Sequence, residues 1–193
     1  MLNLKMLSSI IAASTIMAMA IYGGNNPAPV LPQKPVLPPS PINQTQSLIV
    51  LSKTPETVPT TQDPIWELSL VAPSGKVLHT MKALSGRFNK QLANRHVPGN
   101  ESPLPKGSYA INAHDIVRGP FDATELGTGY WVGISPLFNT GRSALGFHQD
   151  PSWGKTNSQS GTSGCIGLES AEATATLVQW IKKYNITTLA VVD

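Results

Sequence analysis

Cys165 is the only cysteine of this 193-residue chain, and it lies in the glycine-rich run SGTSGCIGLES at residues 160–170. A thiolate attacks acyl carbons, but an unperturbed thiol with a pKa of about 8.5 is mostly protonated at neutral pH. An imidazole can take that proton, and His148 lies a short way upstream. The loop between them is expected to bring the two side chains together. These residue types predict nucleophilic acyl transfer, with Cys165 as nucleophile and His148 as base.

The glycines around the cysteine add a second element of that chemistry. Gly161, Gly164 and Gly167 allow the backbone to turn sharply and a substrate to approach closely. The N–H groups of Gly164 and Cys165 are then predicted to face a developing oxyanion. The alternative for Cys165 is a small buried side chain without a reaction.

The first 63 residues are predicted to be export and linker segments. Residues 1–20 carry one early lysine, an apolar run and a closing Ala-Met-Ala, which predicts a secretory signal peptide, with an uncleaved membrane anchor as the alternative. Residues 21–63 hold most of the prolines and, after Tyr22, no aromatic residue, so a flexible tether is expected. Within it, only Ser47–Ser52 has the character of an edge strand.

Residues 64–193 are predicted to form one mostly β domain. Alternating and β-branched runs between proline and glycine turns predict strands at 65–72, 76–84, 107–113, 129–137, 143–149 and 187–193. One amphipathic helix is predicted after the cysteine, at about 170–184. Its N-cap is Ser170 and its apolar face carries Leu177, Trp180, Ile181 and Tyr184.

The same residues resemble the active-site signature of the L,D-transpeptidases. His148 followed by Thr162-Ser163-Gly164-Cys165 is similar to the family pattern of a histidine, a spacer and S/T-x-G-C. The stretch PLPKGSYAINA at 103–113 is similar to the family's P-x-G-x-[FY] strand start. The resemblance implies a β-sandwich of the L,D-transpeptidase type with one helix. It also implies an exported enzyme, in the periplasm or cell wall, that attacks an acyl bond in peptidoglycan peptide stems.

The resemblance further implies roles for single residues. The backbone carbonyl of Gln149 is expected to orient His148, and Ser163 with Gly164 to form the oxyanion turn. Thr162 and Gly167 are expected to contact the substrate.

The chain also departs from the family pattern. Ser163 stands where the family usually has histidine, and Gly167 where it has arginine. The sequence therefore leaves three outcomes open: cross-linking of stems, trimming of stems by an L,D-carboxypeptidase or endopeptidase, and a wall-binding module without activity.

The sequence also predicts roles for two tryptophans and one aspartate near these motifs. Trp153, in the loop between His148 and the cysteine, is predicted to be a lid or platform for substrate, and Trp131 to pack in the core. Asp150 is expected either to orient His148 or to cap the loop.

Other classes are disfavoured by composition and by the order of residues. The four histidines lack the paired spacing of a metal site, and no metal or cofactor is predicted. The charges of residues 64–193 nearly balance, so nucleic acid is not an expected partner. A papain-like peptidase places its cysteine before its histidine, the reverse of this order. A monomer is expected, whose partners are peptidoglycan stems and, if the N-terminus stays uncleaved, the membrane.

Overall fold

The structure is a computed structural model that describes residues 45–157 and 159–193. The predicted signal peptide at 1–20 and most of the predicted tether lie outside the described residues. Eight strands and one helix follow in the order β1 (Leu48–Thr57), β2 (Pro64–Val71), β3 (Val77–Ser85), β4 (Gly107–Arg118), β5 (Tyr130–Pro136), β6 (Leu145–Gln149), β7 (Ile166–Leu168), α1 (Ala171–Tyr184) and β8 (Thr188–Val192). A mostly β fold with one helix is confirmed.

All eight strands belong to one hydrogen-bonded sheet that closes on itself. Its order is β1-β2-β3-β7-β6-β5-β4-β8, and the last strand pairs with the first. The pairs β1–β8 and β6–β7 are parallel, and the other pairs are antiparallel. A parallel pair needs a long connection, and the β6–β7 connection is the segment between His148 and Cys165.

The first strand corrects the boundary predicted at Pro64. Leu48–Thr57 lies inside the predicted tether, yet it pairs with β2 on one side and with β8 on the other. Ser47–Ser52, expected as an edge strand, therefore contributes to an interior strand. Ile49 and Leu51 are fully buried there, so the folded part begins before β1. The irregular register between Lys53 and Thr57 accommodates Pro55, which cannot donate to a ladder.

The helix forms as the sequence predicts. Ser170 caps it, accepting a hydrogen bond from Ala173 N at 3.2 Å, and Asn185 ends it in the left-handed conformation. Leu177, Trp180 and Ile181 are buried on its inner face. The helix packs against β5, β6 and β7, and so supports the strand pair that carries the predicted site.

Candidate active site

His148 lies in β6, and Cys165 lies directly before β7, the strand that pairs with β6 in parallel. His148 pairs in register with Gly167, two residues after Cys165. Phe147 and Ile166 pair in the same register and are fully buried. Because successive side chains of a strand point to opposite faces, the imidazole of His148 lies on the face opposite Phe147. Trp131 stacks on that imidazole and lines the same cavity as Cys165, so the predicted nucleophile and base lie in one region of the fold.

Two adjoining cavities reach these groups. Cys165 lines a cavity of about 490 Å³, and His148 lines a smaller one of about 20 Å³. Thr124 and Glu125, from the connection between β4 and β5, line both. The described residues show no hydrogen bond between the imidazole and the thiol. In this conformation the two groups are reached from adjoining cavities, and the thiol lines the one of substrate size.

The imidazole of His148 is fixed by its own neighbour. His148 is 4% exposed, and its Nδ1 lies 2.7 Å from the backbone oxygen of Gln149. A carbonyl oxygen only accepts, so Nδ1 carries the hydrogen and Nε2 keeps the lone pair that a base needs. Burial lowers the pKa of His148, although the Gln149 contact opposes this shift. The imidazole is therefore neutral at pH 7.

The thiol of Cys165 is protonated at rest. Its Sγ donates to the backbone oxygen of Ala144 at 3.7 Å. Burial raises the pKa of Cys165, while a backbone hydrogen bond from Gly146 and the charge of Arg142 lower it. Thiol and imidazole are both neutral at rest, so a nucleophilic Cys165 requires a proton transfer to a base.

The turn ahead of Cys165 is held by one buried hydroxyl. Thr162 Oγ1 accepts hydrogen bonds from Gly86 N at 3.0 Å and Gly164 N at 3.2 Å, and donates to Cys165 O at 2.7 Å. Thr162 is 2% exposed, so its predicted contact with substrate is corrected to a structural one. The predicted oxyanion role of the Gly164 amide is corrected too, because this amide is already bonded. None of the hydrogen bonds among the described residues uses the Cys165 N–H.

Ser163 and Gly167 occupy the positions where the chain departs from the family pattern. The Ser163 hydroxyl donates to the Glu125 carboxylate at 3.1 Å. A side chain at Gly167 would meet Thr162 Cγ2 at 2.8 Å and Asp150 Cβ at 2.9 Å. An arginine therefore does not fit at 167, and this glycine serves close packing instead of the predicted substrate contact.

The two tryptophans exchange their predicted places. Trp153 packs against Val58, Ile65 and Leu84, away from the cavity that Cys165 lines, because its loop folds back toward β1 and β2. Trp131 lines that cavity and stacks on the His148 ring, with 6.3 Å between ring centroids and 24° between planes.

Asp150 caps the loop and does not orient the histidine. Its Oδ1 accepts from Ser152 N at 2.8 Å, and its Oδ2 accepts from Gly161 N at 3.1 Å. Burial raises the pKa of Asp150 to about 6. This carboxyl ties the two ends of the β6–β7 connection together, while Gln149 O positions His148.

Sequence reasoning missed two residues of the site, Arg142 and Glu125. Both line the cavity of Cys165. Arg142 precedes β6, and its buried guanidinium reaches the backbone of the cysteine turn. Glu125 is bonded to Ser163, and its charge raises the pKa of both His148 and Cys165. Neither residue belongs to a local motif. Arg142 lies in the β5–β6 connection and Glu125 in the β4–β5 connection, and only the folded topology places these connections beside Cys165.

The described ranges contain neither a metal-binding cluster nor a membrane-spanning helix. No group of three His, Cys, Asp or Glu side chains in residues 45–157 and 159–193 is placed to hold a metal ion. No helix in the described part of the chain is long and apolar enough to cross a membrane.

Comparison with known proteins leaves the site to be interpreted from its own residues. No protein-family model matches the chain, and no match was found among curated proteins or solved structures.

Proposed function

We propose that this protein is an exported cysteine acyltransferase that acts on peptidoglycan peptide stems through a thioester on Cys165. The observation that carries the proposal is the position of Cys165 directly before β7, the strand that pairs with the strand of His148, with His148 Nδ1 held 2.7 Å from Gln149 O. The resemblance of His148 and the run Thr162–Cys165 to the L,D-transpeptidase signature supports the choice of substrate.

The first half-reaction forms the thioester. Sγ of Cys165 bonds to the carbonyl carbon of a donor stem while Nε2 of His148 takes the thiol proton. The C–N bond of the stem then breaks, and His148 returns the proton to the leaving amine. The Cys165 N–H is the backbone donor nearest to the developing oxyanion, and one such donor contributes about 3 kcal/mol.

The second half-reaction decides between transfer and hydrolysis. An amine of another stem attacks the thioester carbon, loses its proton to His148 and leaves as a cross-linked product with Sγ released. Water in the same position gives a trimmed stem with a free carboxylate. Both products come from one thioester, so hydrolysis belongs to the same proposal.

The finer architecture and the cellular location are parts of the same proposal. The resemblance favours packing of the two halves of the closed sheet as a β-sandwich. Residues 1–20 have the pattern of a signal peptide, which supports action in the periplasm or cell wall. Residues 21 to about 44 are proposed as the tether that links this signal to the folded part.

The test is mass spectrometry of purified peptidoglycan stems after incubation with reduced protein. Wild type is expected to yield cross-linked or trimmed stems, and a carbapenem-type acyl donor is expected to add mass at Cys165. Cys165→Ala is expected to abolish both. His148→Gln is expected to reduce the rate by about 100-fold or more, because a positioned base contributes on that order.

The matched control is His114→Gln, since His114 is exposed and outside both cavities. It is expected to act as wild type does. Because burial lowers the pKa of His148, activity is expected to persist below pH 6.5, the ordinary value for histidine, before it falls. A folded, reduced wild type that gives neither product nor adduct contradicts the proposal.

A further inference from the structure

Arg142 is a buried cation without a carboxylate partner in the described part of the chain. It is 6% exposed, and the ion pairs of the described residues do not include it. A buried guanidinium without a counter-charge costs several kcal/mol. Such a residue needs either a structural or a functional reason.

The hydrogen bonds of Arg142 fix the orientation of its guanidinium but leave the positive charge without a negative partner. Nη1 donates to Arg95 O at 3.3 Å, to Ser102 O at 3.4 Å and to Ser102 Oγ at 3.4 Å. Nη2 donates to Ser163 O at 3.3 Å. All acceptors are neutral, so the guanidinium is held in one orientation with its positive charge uncompensated.

The guanidinium lies against the turn that presents the thiol. Gly164 has φ +111°, and a side chain there would overlap Nη2 of Arg142. The guanidinium can approach the turn this closely because Gly164 has no Cβ, and it is held there by its hydrogen bond to Ser163 O. Arg142 and Cys165 also line the same cavity.

Two charged groups from different segments act on Cys165. Arg142, ahead of β6, lowers the pKa of Cys165. Burial lowers the pKa of Arg142 itself, and a negative Cys165 opposes that shift. Glu125, from the β4–β5 connection, raises the pKa of Cys165. His148, on β6, is neutral at pH 7. On the other side of Arg142, burial raises the pKa of Tyr109 and keeps that phenol neutral.

We infer that Arg142 is a positioning residue of the active site, which holds the Ser163–Gly164 turn and supplies the positive charge that favours the Cys165 thiolate. The inference rests on the proposed function, because it assigns Arg142 to the same nucleophile. Its counter-charge is the thiolate that forms when His148 takes the proton, so the buried cation is compensated only during the reaction.

The test is the pH dependence of alkylation of Cys165 by iodoacetamide, which reports the thiolate fraction. Arg142→Gln is expected to move the midpoint upward by about one pH unit, as loss of a neighbouring opposite charge does. Arg142→Lys keeps the charge, so its midpoint is expected to lie close to that of wild type. Hydrogen exchange at the Gly164 amide is expected to be several-fold faster in both variants, since lysine cannot hold Ser163 O and Ser102 O together.

The matched control is Arg118→Gln, because Arg118 is exposed and contacts Tyr130, outside the cavity of Cys165. It is expected to leave the midpoint and the exchange rate unchanged. A folded Arg142→Gln protein with the wild-type midpoint overturns the inference. If that variant does not fold, Arg142→Lys decides: a wild-type midpoint with faster exchange at Gly164 supports the inference, and any other result overturns it.

Alkylation needs no peptidoglycan, so the two proposals fail separately. If wild type leaves stems unchanged while Arg142→Gln still shifts the alkylation midpoint, the proposed function is wrong and the interaction of Arg142 with the thiol stands. If stems react and the midpoint does not move, only the assignment of Arg142 is wrong.

Discussion

At the scale of single residues, Trp131 and Trp153 provide a matched pair. Trp131 stacks on His148 and lines the cavity of Cys165, whereas Trp153 packs against the small cluster that includes Val58. Trp131→Ala is expected to lower kcat/KM about tenfold, because the imidazole loses the ring that restricts it. Trp153→Ala is expected to leave kcat/KM within about twofold and to lower the free energy of unfolding by about 2–3 kcal/mol.

Stem-product rates and urea unfolding of both variants separate these effects. The assignment of Trp131 is wrong if Trp131→Ala keeps full kcat/KM while remaining folded. The assignment of Trp153 is wrong if its loss slows the reaction without changing stability.

The part of the site that the sequence predicts is the part built from local chain. Cys165 and His148 form the sequence motif, and Gln149 directly follows His148. The predicted contact of His148 with Gln149 O is present. Arg142 and Trp131 come from other segments, and no spacing rule connects them to Cys165. The predicted roles of Thr162 in substrate binding and of Gly164 in the oxyanion site are wrong, because the hydroxyl of Thr162 accepts a hydrogen bond from the amide of Gly164, a contact that no sequence pattern indicates.

At the scale of elements, the hydroxyl of Thr162 joins the residue after β3, the turn and the residue before β7. Thr162→Val keeps the shape but leaves the amides of Gly86 and Gly164 without an acceptor. The free energy of unfolding is expected to fall by about 2–4 kcal/mol, the cost of two or three unpaired buried groups. The alkylation rate of Cys165 is also expected to change, since its carbonyl loses the same partner.

Urea unfolding of three variants checks this prediction. Thr162→Ser keeps the hydroxyl and is expected to lose less stability than Thr162→Val. Thr176→Val, on the exposed face of α1, is expected to cost about 0.5 kcal/mol or less, because its hydroxyl bonds only Glu172 O at the surface. Equal losses for Thr162→Ser and Thr162→Val would show that the hydroxyl bonds are not the cause.

The elements themselves follow from the sequence to different degrees. All six predicted strands form, and α1 begins after the predicted N-cap Ser170 and ends at Tyr184, as predicted. Strand β7 has three residues, too few for a periodic signal, and it forms because β3 and β6 lie on either side. The sequence predicts β1 as part of the tether, because Pro55 and the polar second half of the strand obscure the two buried residues Ile49 and Leu51.

At the scale of the whole molecule, β1 decides where the folded unit begins. A chain of residues 45–193 is expected to fold cooperatively, whereas residues 64–193 leave β2 and β8 as open edges that lack the partner strand. The shorter chain is expected to unfold at lower urea and to aggregate. Circular dichroism and size-exclusion chromatography of the two chains check this, and a monomeric, cooperatively folding 64–193 chain would contradict it.

The pairing of β1 with β8 also sets the timing of folding during synthesis. Leu48–Thr57 is synthesised before Thr188–Val192, so a growing chain cannot complete the ring of strands until β8 has emerged from the ribosome. Until then β1 and β4 each lack a partner strand, and the nascent chain carries an open sheet that a chaperone can hold.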